Sequence, residues 1–223
     1  MTPLALTRLL QLSSQALPIG GYSHSQGLES AIEQRSVVDE DSVLRWILDV
    51  LKFSMATFEI PRLKCLMAAW ALDDLPAVES LNEDYLATRE SAELRAAAVQ
   101  MGFSLRALLY VLPDLPAATI GALRNIQEPS LPCVWGAAAT AWQIEAREAA
   151  LGYLWGWAEN QVLVSMKTLP LGQSAGQRVL LALGAHIAQL ADEPAAESYS
   201  NYAPALAILS AQHETQYSRL FRS

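Results

Sequence analysis

The sequence predicts an all-α fold: a single-domain helical bundle of about eight to ten helices spanning residues 1–223. Three observations carry that expectation. Apolar residues recur at spacings of three and four along most of the chain, and strand-like alternation is sustained nowhere. The hydrophobic fraction is 52 % and the mean hydropathy is positive. Much of that apolar content is alanine and leucine with few β-branched runs, which favours packed helices. Proline and glycine clusters fall between the periodic stretches, where they end one helix and admit the next. A length of 223 residues suits one large domain with a real core, and neither a repeat nor a convincing domain boundary divides it.

The elements follow in order. Thr2 to Ser14 reads as a helix carrying Leu4, Leu6, Leu9, Leu10 and Leu12. Ala16 to Ser23, with Pro18 and the pair Gly20-Gly21, breaks it. Ser23 or Ser25 is a candidate cap for a helix bearing Leu28, Ala31 and Ile32. Asp39 or Asp41 opens a stronger one, whose Val43, Leu44, Ile47, Leu48, Leu51 and Met55 share one face. Pro61 marks a kink or a fresh start before Leu63, Leu66, Met67 and Trp70. A polar link at residues 73–76 leads into a charged region through Glu90, and Ser91 to Leu112 is helical. Pro113 with Pro116 brackets one turn, and Pro129 with Pro132 another. From Val134 a long helix-forming run contains Gly152 and Gly156, which either interrupt it or allow close helix approach. Residues 167–172 read as a loop, Gln173 to Leu190 as a helix and residues 192–203 as a linker. Residues 204–223 form a C-terminal helix or tail. Its stripe of Leu206, Leu209, His213, Tyr217 and Leu220 has helical spacing, and Arg219 and Arg222 then fall in a last turn where cations complement the dipole.

Composition excludes several functions. The formal net charge is −8 and no Lys or Arg cluster exceeds two neighbours, so a phosphate-backbone binder is not expected. No basic amphipathic face suits a membrane surface. Leu4 to Leu12 is interrupted by Arg8 and lacks the flanks of a secretion signal, and Val179 to Ala188 is too short to span a bilayer. Cys65 and Cys133 lie far apart in apolar surroundings, as buried free thiols do in a reducing cytosol. A cytoplasmic protein is expected.

Tests for chemistry return little. Gly20-Gly21 lacks the Gly-Lys-Ser/Thr ending and the preceding strand of a phosphate loop. Gly21-Tyr22-Ser23-His24-Ser25 falls one glycine short of a nucleophile elbow and follows a helix, not a strand. His24, His186, His213, Cys65 and Cys133 never meet at i, i+3 or i, i+4, so no self-sufficient metal site is predicted; a site shared across a dimer stays open. His186 on its apolar helix reads as a satisfied core residue. Glu90 and Glu93, flanked by Arg89 and Arg95, read as a solvated ion-pair face. No catalytic residue and no cofactor is expected. What remains is a helical protein that works by contact with other proteins.

Three segments carry a resemblance. Leu17-Pro18-Ile19-Gly20-Gly21-Tyr22-Ser23-His24-Ser25-Gln26-Gly27-Leu28-Glu29 resembles the N-terminal signature of the urease accessory protein UreF family. Lys167-Thr168-Leu169-Pro170-Leu171-Gly172-Gln173 is similar to that family's mid-chain loop, and His213 to Ser223 to its C-terminal signature. The order and separation of the three also match. The resemblance implies an all-helical, dimeric, cytoplasmic chaperone without catalysis of its own. It would join UreD (also called UreH) and the GTPase UreG on apo-urease, where nickel insertion is coupled to GTP hydrolysis.

The same resemblance points to residues. Tyr217, Arg219, Phe221 and Arg222 correspond to a tail that becomes ordered against UreD, and Lys167 to a lysine presented toward the GTPase. Tyr22 and Glu29, with Gln26, either hold the entry loop or line a contact; His24 departs from the aromatic residue expected there. One reading is a non-enzymatic scaffold for nickel insertion. The alternative is a GTPase-activating protein that lends Arg219, Arg222 or Lys167 to the transition state of UreG.

Overall fold

The computed structural model describes residues 1–192 and 200–223. Among them run eleven α-helices: α1 Pro3–Ser13, α2 Leu28–Glu33, α3 Glu40–Val50, α4 Ile60–Ala71, α5 Leu75–Ala87, α6 Ala92–Val111, α7 Ala117–Asn125, α8 Leu131–Ala141, α9 Ala146–Thr168, α10 Gln173–Leu190 and α11 Pro204–His213. A 3₁₀ turn, Gly21–Ser23, precedes α2, and a π-helical stretch, Leu51–Glu59, joins α3 to α4 without a break. Counting that continuous rod once leaves ten helices, so the all-α bundle is as expected.

The caps are legible in the sequence. Thr2 accepts from the Ala5 N–H at 3.1 Å and opens α1. Asp39 and Ser42 form a reciprocal capping box at α3. Ser91 caps α6 and Ser130 caps α8. Each satisfies an N–H that the helix itself leaves orphaned. Helix α2 differs from expectation: neither Ser23 nor Ser25 caps it. It starts after Gln26 (φ +51°) and Gly27 (φ +84°), two consecutive left-handed residues. A Cβ on Gly27 would also stand 3.3 Å from the Ser210 N of α11, so helix α11 lies directly across this turn.

Pro61 lies in the first turn of α4, as a fresh start would place it, although the backbone runs on helically from the stretch before it. The nine-residue π stretch ends just before it, which loosens the ladder where proline has no N–H to give. The carbonyls of Phe53 and Thr57 accept instead from the backbone N–H groups of Tyr202 and Ser200, both at 3.2 Å. The expected linker at 192–203 falls mostly on residues 193–199, which lie outside the described residues.

Two helices were not anticipated. The charged region after Pro76 is α5, capped by Asp74 and burying Val78, Asn82, Tyr85 and Leu86. Between the two proline pairs, α7 buries Leu123. Pro132 lies in the first turn of α8 and not in a loop. The run from Val134 is divided at Trp142–Glu145, where Gln143 takes φ +56°. Gly152 and Gly156 do not interrupt α9; a Cβ on Gly152 would come within 2.4 Å of Leu9 on α1. Central helix α9 packs on α1, α2, α10 and α4, while α8 bridges α4 and α6. That arrangement puts the start of α2, the end of α9 and the C-terminus at one end of the bundle.

Candidate functional site

The two signature segments of the sequence, far apart in the chain, are one structure. After α11 the chain turns back at Glu214 and its last residues run against residues 23–29. The Arg222 N–H donates to the Ser23 carbonyl at 2.8 Å. The Gln26 N–H donates to the main-chain oxygen of Ser223 at 3.0 Å, and the Ser25 N–H reaches the same oxygen. The left-handed turn at Gln26 and Gly27 aims these two amides at the tail, as successive N–H groups in a nest do. His24 Nδ1 lies 2.7 Å from Ser223 Oγ. Burial, with Arg222 nearby, pushes the His24 pKa down to about 4.

Glu29 is the side chain that holds this arrangement. It is 6 % exposed. Its Oε1 accepts from the Leu220 N–H at 2.6 Å and its Oε2 from the Phe221 N–H at 3.1 Å. Glu93 on α6 accepts from Arg219 at 2.8 Å. Phe221 is buried, whereas Tyr217 is fully exposed and Leu220 is 72 % exposed. The expected helical stripe therefore stops at His213. Tyr217 and Leu220 point away from the core, and Arg219 pairs with a carboxylate and not with a helix dipole.

Lys167 joins the same cluster. It occupies the last turn of α9, not a loop. Its Nζ lies 5.8 Å from the centre of the Tyr22 ring and 5.7 Å from that of Phe221, within cation–π range. Tyr22 is 59 % exposed and Arg222 is exposed too. Tyr22, Lys167, Tyr217, Leu220 and Arg222 thus stand on a framework of buried groups that ties three distant segments together.

Below this face lies a cavity of about 100 Å³ that reaches from Tyr22, Gln26 and Trp157 inward to Glu59. At its floor Glu59 accepts from Tyr85 OH at 3.1 Å, Arg89 at 2.9 Å and Tyr153 OH at 2.8 Å. Arg89 also stacks over the rings of Phe58 and Tyr85, at 4.9 and 4.4 Å. Burial raises both phenol pKa values above the ordinary tyrosine range. Protonated phenols are hydrogen-bond donors, which suits a buried ionised carboxylate.

Several expectations change here. Glu93 is not part of a solvated face; its side chain is 13 % exposed and lies between His213 and Arg219. Arg89 is buried. His186 is only half-buried, and so is Cys65, while Cys133 is buried; the two cysteines form no disulfide with each other. Among the described residues, no three or more His, Cys, Asp or Glu side chains are placed to hold a metal ion, and no helix is long and apolar enough to cross a membrane. The sequence does not reveal the anchoring roles of Glu93 and His213, nor Asn160, whose amide donates to the His24 carbonyl at 3.0 Å. A histidine and a glutamate spaced 120 residues apart carry no local signal, because only the fold makes them neighbours.

A family model described as UreF matches residues 37–184. A urease accessory protein UreF from Azoarcus sp. (strain BH72) is 52 % identical over 99 % of this chain and 96 % of its own length. One from Dechloromonas aromatica (strain RCB) is 50 % identical over 100 % and 99 %. One from Pseudomonas aeruginosa is 44 % identical over 96 % and 97 %. Matches of that depth run through both terminal signatures and the core between them, so the chain belongs to the UreF family.

Proposed function

We propose that this chain is a non-catalytic scaffold of urease maturation in the cytoplasm. It acts as one unit over residues 1–223 and as a homodimer. The face built from Tyr22, Glu29, Lys167, Tyr217, Arg219, Phe221 and Arg222 binds the companion accessory protein UreD/UreH and the GTPase UreG on apo-urease, with nickel as cargo. One observation carries the reading: Tyr217 and Leu220 are exposed while the buried Glu29 pins the backbone of the same tail at the Leu220 and Phe221 amides. Fixed, solvent-facing aromatic and arginine side chains are the composition of an interface hot spot. Glu29 and Phe221 serve as the frame; Tyr22, Lys167, Tyr217 and Arg222 make the contacts.

The test is capture of purified UreD/UreH by the full chain and by a chain ending at Gln212. The truncated chain is expected to keep its helical circular dichroism and lose capture; capture that survives truncation sinks the proposal. A second reading, a GTPase-activating role, is favoured by the placement of Lys167 and Arg222 as cations at the exposed rim. Arg219 suits it less, since Glu93 already engages it. Single-turnover GTP hydrolysis by UreG separates the two. Acceleration abolished by Lys167→Ala or Arg222→Ala supports activation, and assembly without acceleration supports the scaffold.

A further inference from the structure

His213 ends α11 and is 0 % exposed. Its Nε2 lies 3.0 Å from Glu29 Oε2 on α2, and its Nδ1 lies 2.6 Å from Glu93 Oε2 on α6. Carboxylate oxygens accept, so each of these contacts is a hydrogen bond only when the facing ring nitrogen carries a proton. The same two carboxylates hold the tail: Glu29 takes the amides of Leu220 and Phe221, and Glu93 takes Arg219. Among the described residues, the imidazole is therefore the side chain seen to bridge both carboxylate anchors of the tail.

We propose that His213 is the positioning residue of the tail, its ring donating on both sides to hold Glu29 and Glu93 where they receive Leu220, Phe221 and Arg219. A doubly donating imidazole and a guanidinium balance two carboxylates, so the cluster carries no net charge. Other charged groups around it are engaged elsewhere. Glu214 turns away to accept the Ala92 N–H at 2.8 Å, and His24 and Arg222 lie at the Ser223 end of the tail. With the ring gone, two buried like charges face each other in a poorly screened setting and move apart. The backbone amides of the tail then lose their acceptors. The inference deepens the interface proposed above, since it names what fixes that surface, but its test does not depend on a partner.

The experiment uses the full chain alone. Backbone amide exchange is followed at Leu220 and Phe221, with core amides of α9 as the fold control. His213→Gln, which keeps a neutral polar side chain but lacks a donor on each side, is expected to speed exchange at both tail amides at least tenfold and leave α9 unchanged. The double variant His213→Gln/Glu93→Gln removes the unbalanced charge and is expected to recover most of the protection. Tail exchange in the single variant within twofold of the unmodified chain overturns the proposal. So does a double variant no better than the single one, because a ring that served only as packing would not be rescued through charge. If His213→Gln does not fold, nitrogen-15 spectra of the unmodified chain decide: correlations from both ring N–H groups of His213 support the proposal, and one only refutes it. Partner capture is read separately. Loss of tail protection with capture intact defeats the interface reading and leaves the role of His213 standing.

Discussion

Replacing Glu59 with alanine removes the acceptor of three buried donors at once: Tyr85, Tyr153 and Arg89. Arg89 is the decisive one, because its side chain is 6 % exposed and a guanidinium does not shed its proton to escape burial. Breaking a buried ion pair from one side costs about 3–5 kcal/mol, since the surviving charge is left uncompensated. For a domain of this size each kcal/mol moves the unfolding midpoint by about 2–4 °C, so a fall of roughly 10 °C is expected. Thermal unfolding by circular dichroism, at one fixed protein concentration so that any self-association stays constant, measures it. The double variant Glu59→Leu/Arg89→Leu supplies the control, because an apolar pair of similar volume replaces both charges and recovers most of the loss. A midpoint within about 2 °C of the unmodified protein for Glu59→Ala refutes the reasoning. A double variant as unstable as the single one refutes it too, because the damage then comes from lost packing and not from a stranded charge.

Three further outcomes follow from the geometry. Gly102→Ala places a Cβ 1.9 Å from the Pro129 carbonyl oxygen, a backbone clash that nothing flexible relieves; a loss of about 3 kcal/mol or more in denaturant unfolding is expected. Burial pushes the Cys133 thiol up to about 12, so a thiol reagent at neutral pH should modify it only after denaturant is added, as peptide mapping would show. The His24 pKa is depressed from 6.5 to about 4, so its neutral ring favours the folded state above pH 6.5 and that advantage disappears as pH falls toward 4. The effect is up to about 3 kcal/mol, read from denaturant midpoints across that window against His24→Asn.

Helices with a clean apolar stripe and a side-chain cap, such as α3 with its Asp39–Ser42 box, are legible because both signals are local. Helix α5 is not, because its buried set includes Asn82 and Tyr85, whose partners are Glu128, Ser130 and Glu59. A polar residue that is buried because a distant segment satisfies it looks in the sequence like surface. Glu93 is misread for the same reason. The terminal stripe errs the other way: Tyr217 and Leu220 continue a helical spacing that the chain abandons at His213, since the caps and carboxylates that turn it back lie on α2 and α6. The pairing of the two signature segments has no trace in spacing at all, although each segment stands out by itself.

The tail is held mainly by polar contacts, and that sets its place in the molecule. Of its last six residues only Phe221 and Ser223 are buried. Fixing six backbones costs roughly 6–12 kcal/mol of conformational entropy. Hydrogen bonds to the charged groups Glu29 and Glu93 return about 1.5–3 kcal/mol each, neutral ones about 1, and Phe221 adds about 1.5–3 by burial. The two sides agree to within a few kcal/mol. Docking is therefore favourable by no more than a few kcal/mol, far below the stability of the core around α8 and α9, and the tail belongs to the part of the structure that opens first. A protein that covers Tyr217 and Leu220 buries two large apolar surfaces that the isolated chain leaves in water. That gain is comparable to the whole net stability of the docked tail, so binding and ordering are expected to strengthen each other. Amide exchange at Leu220 and Phe221 should slow when the partner is added, and unchanged exchange in a complex that has formed would show that the partner sits elsewhere.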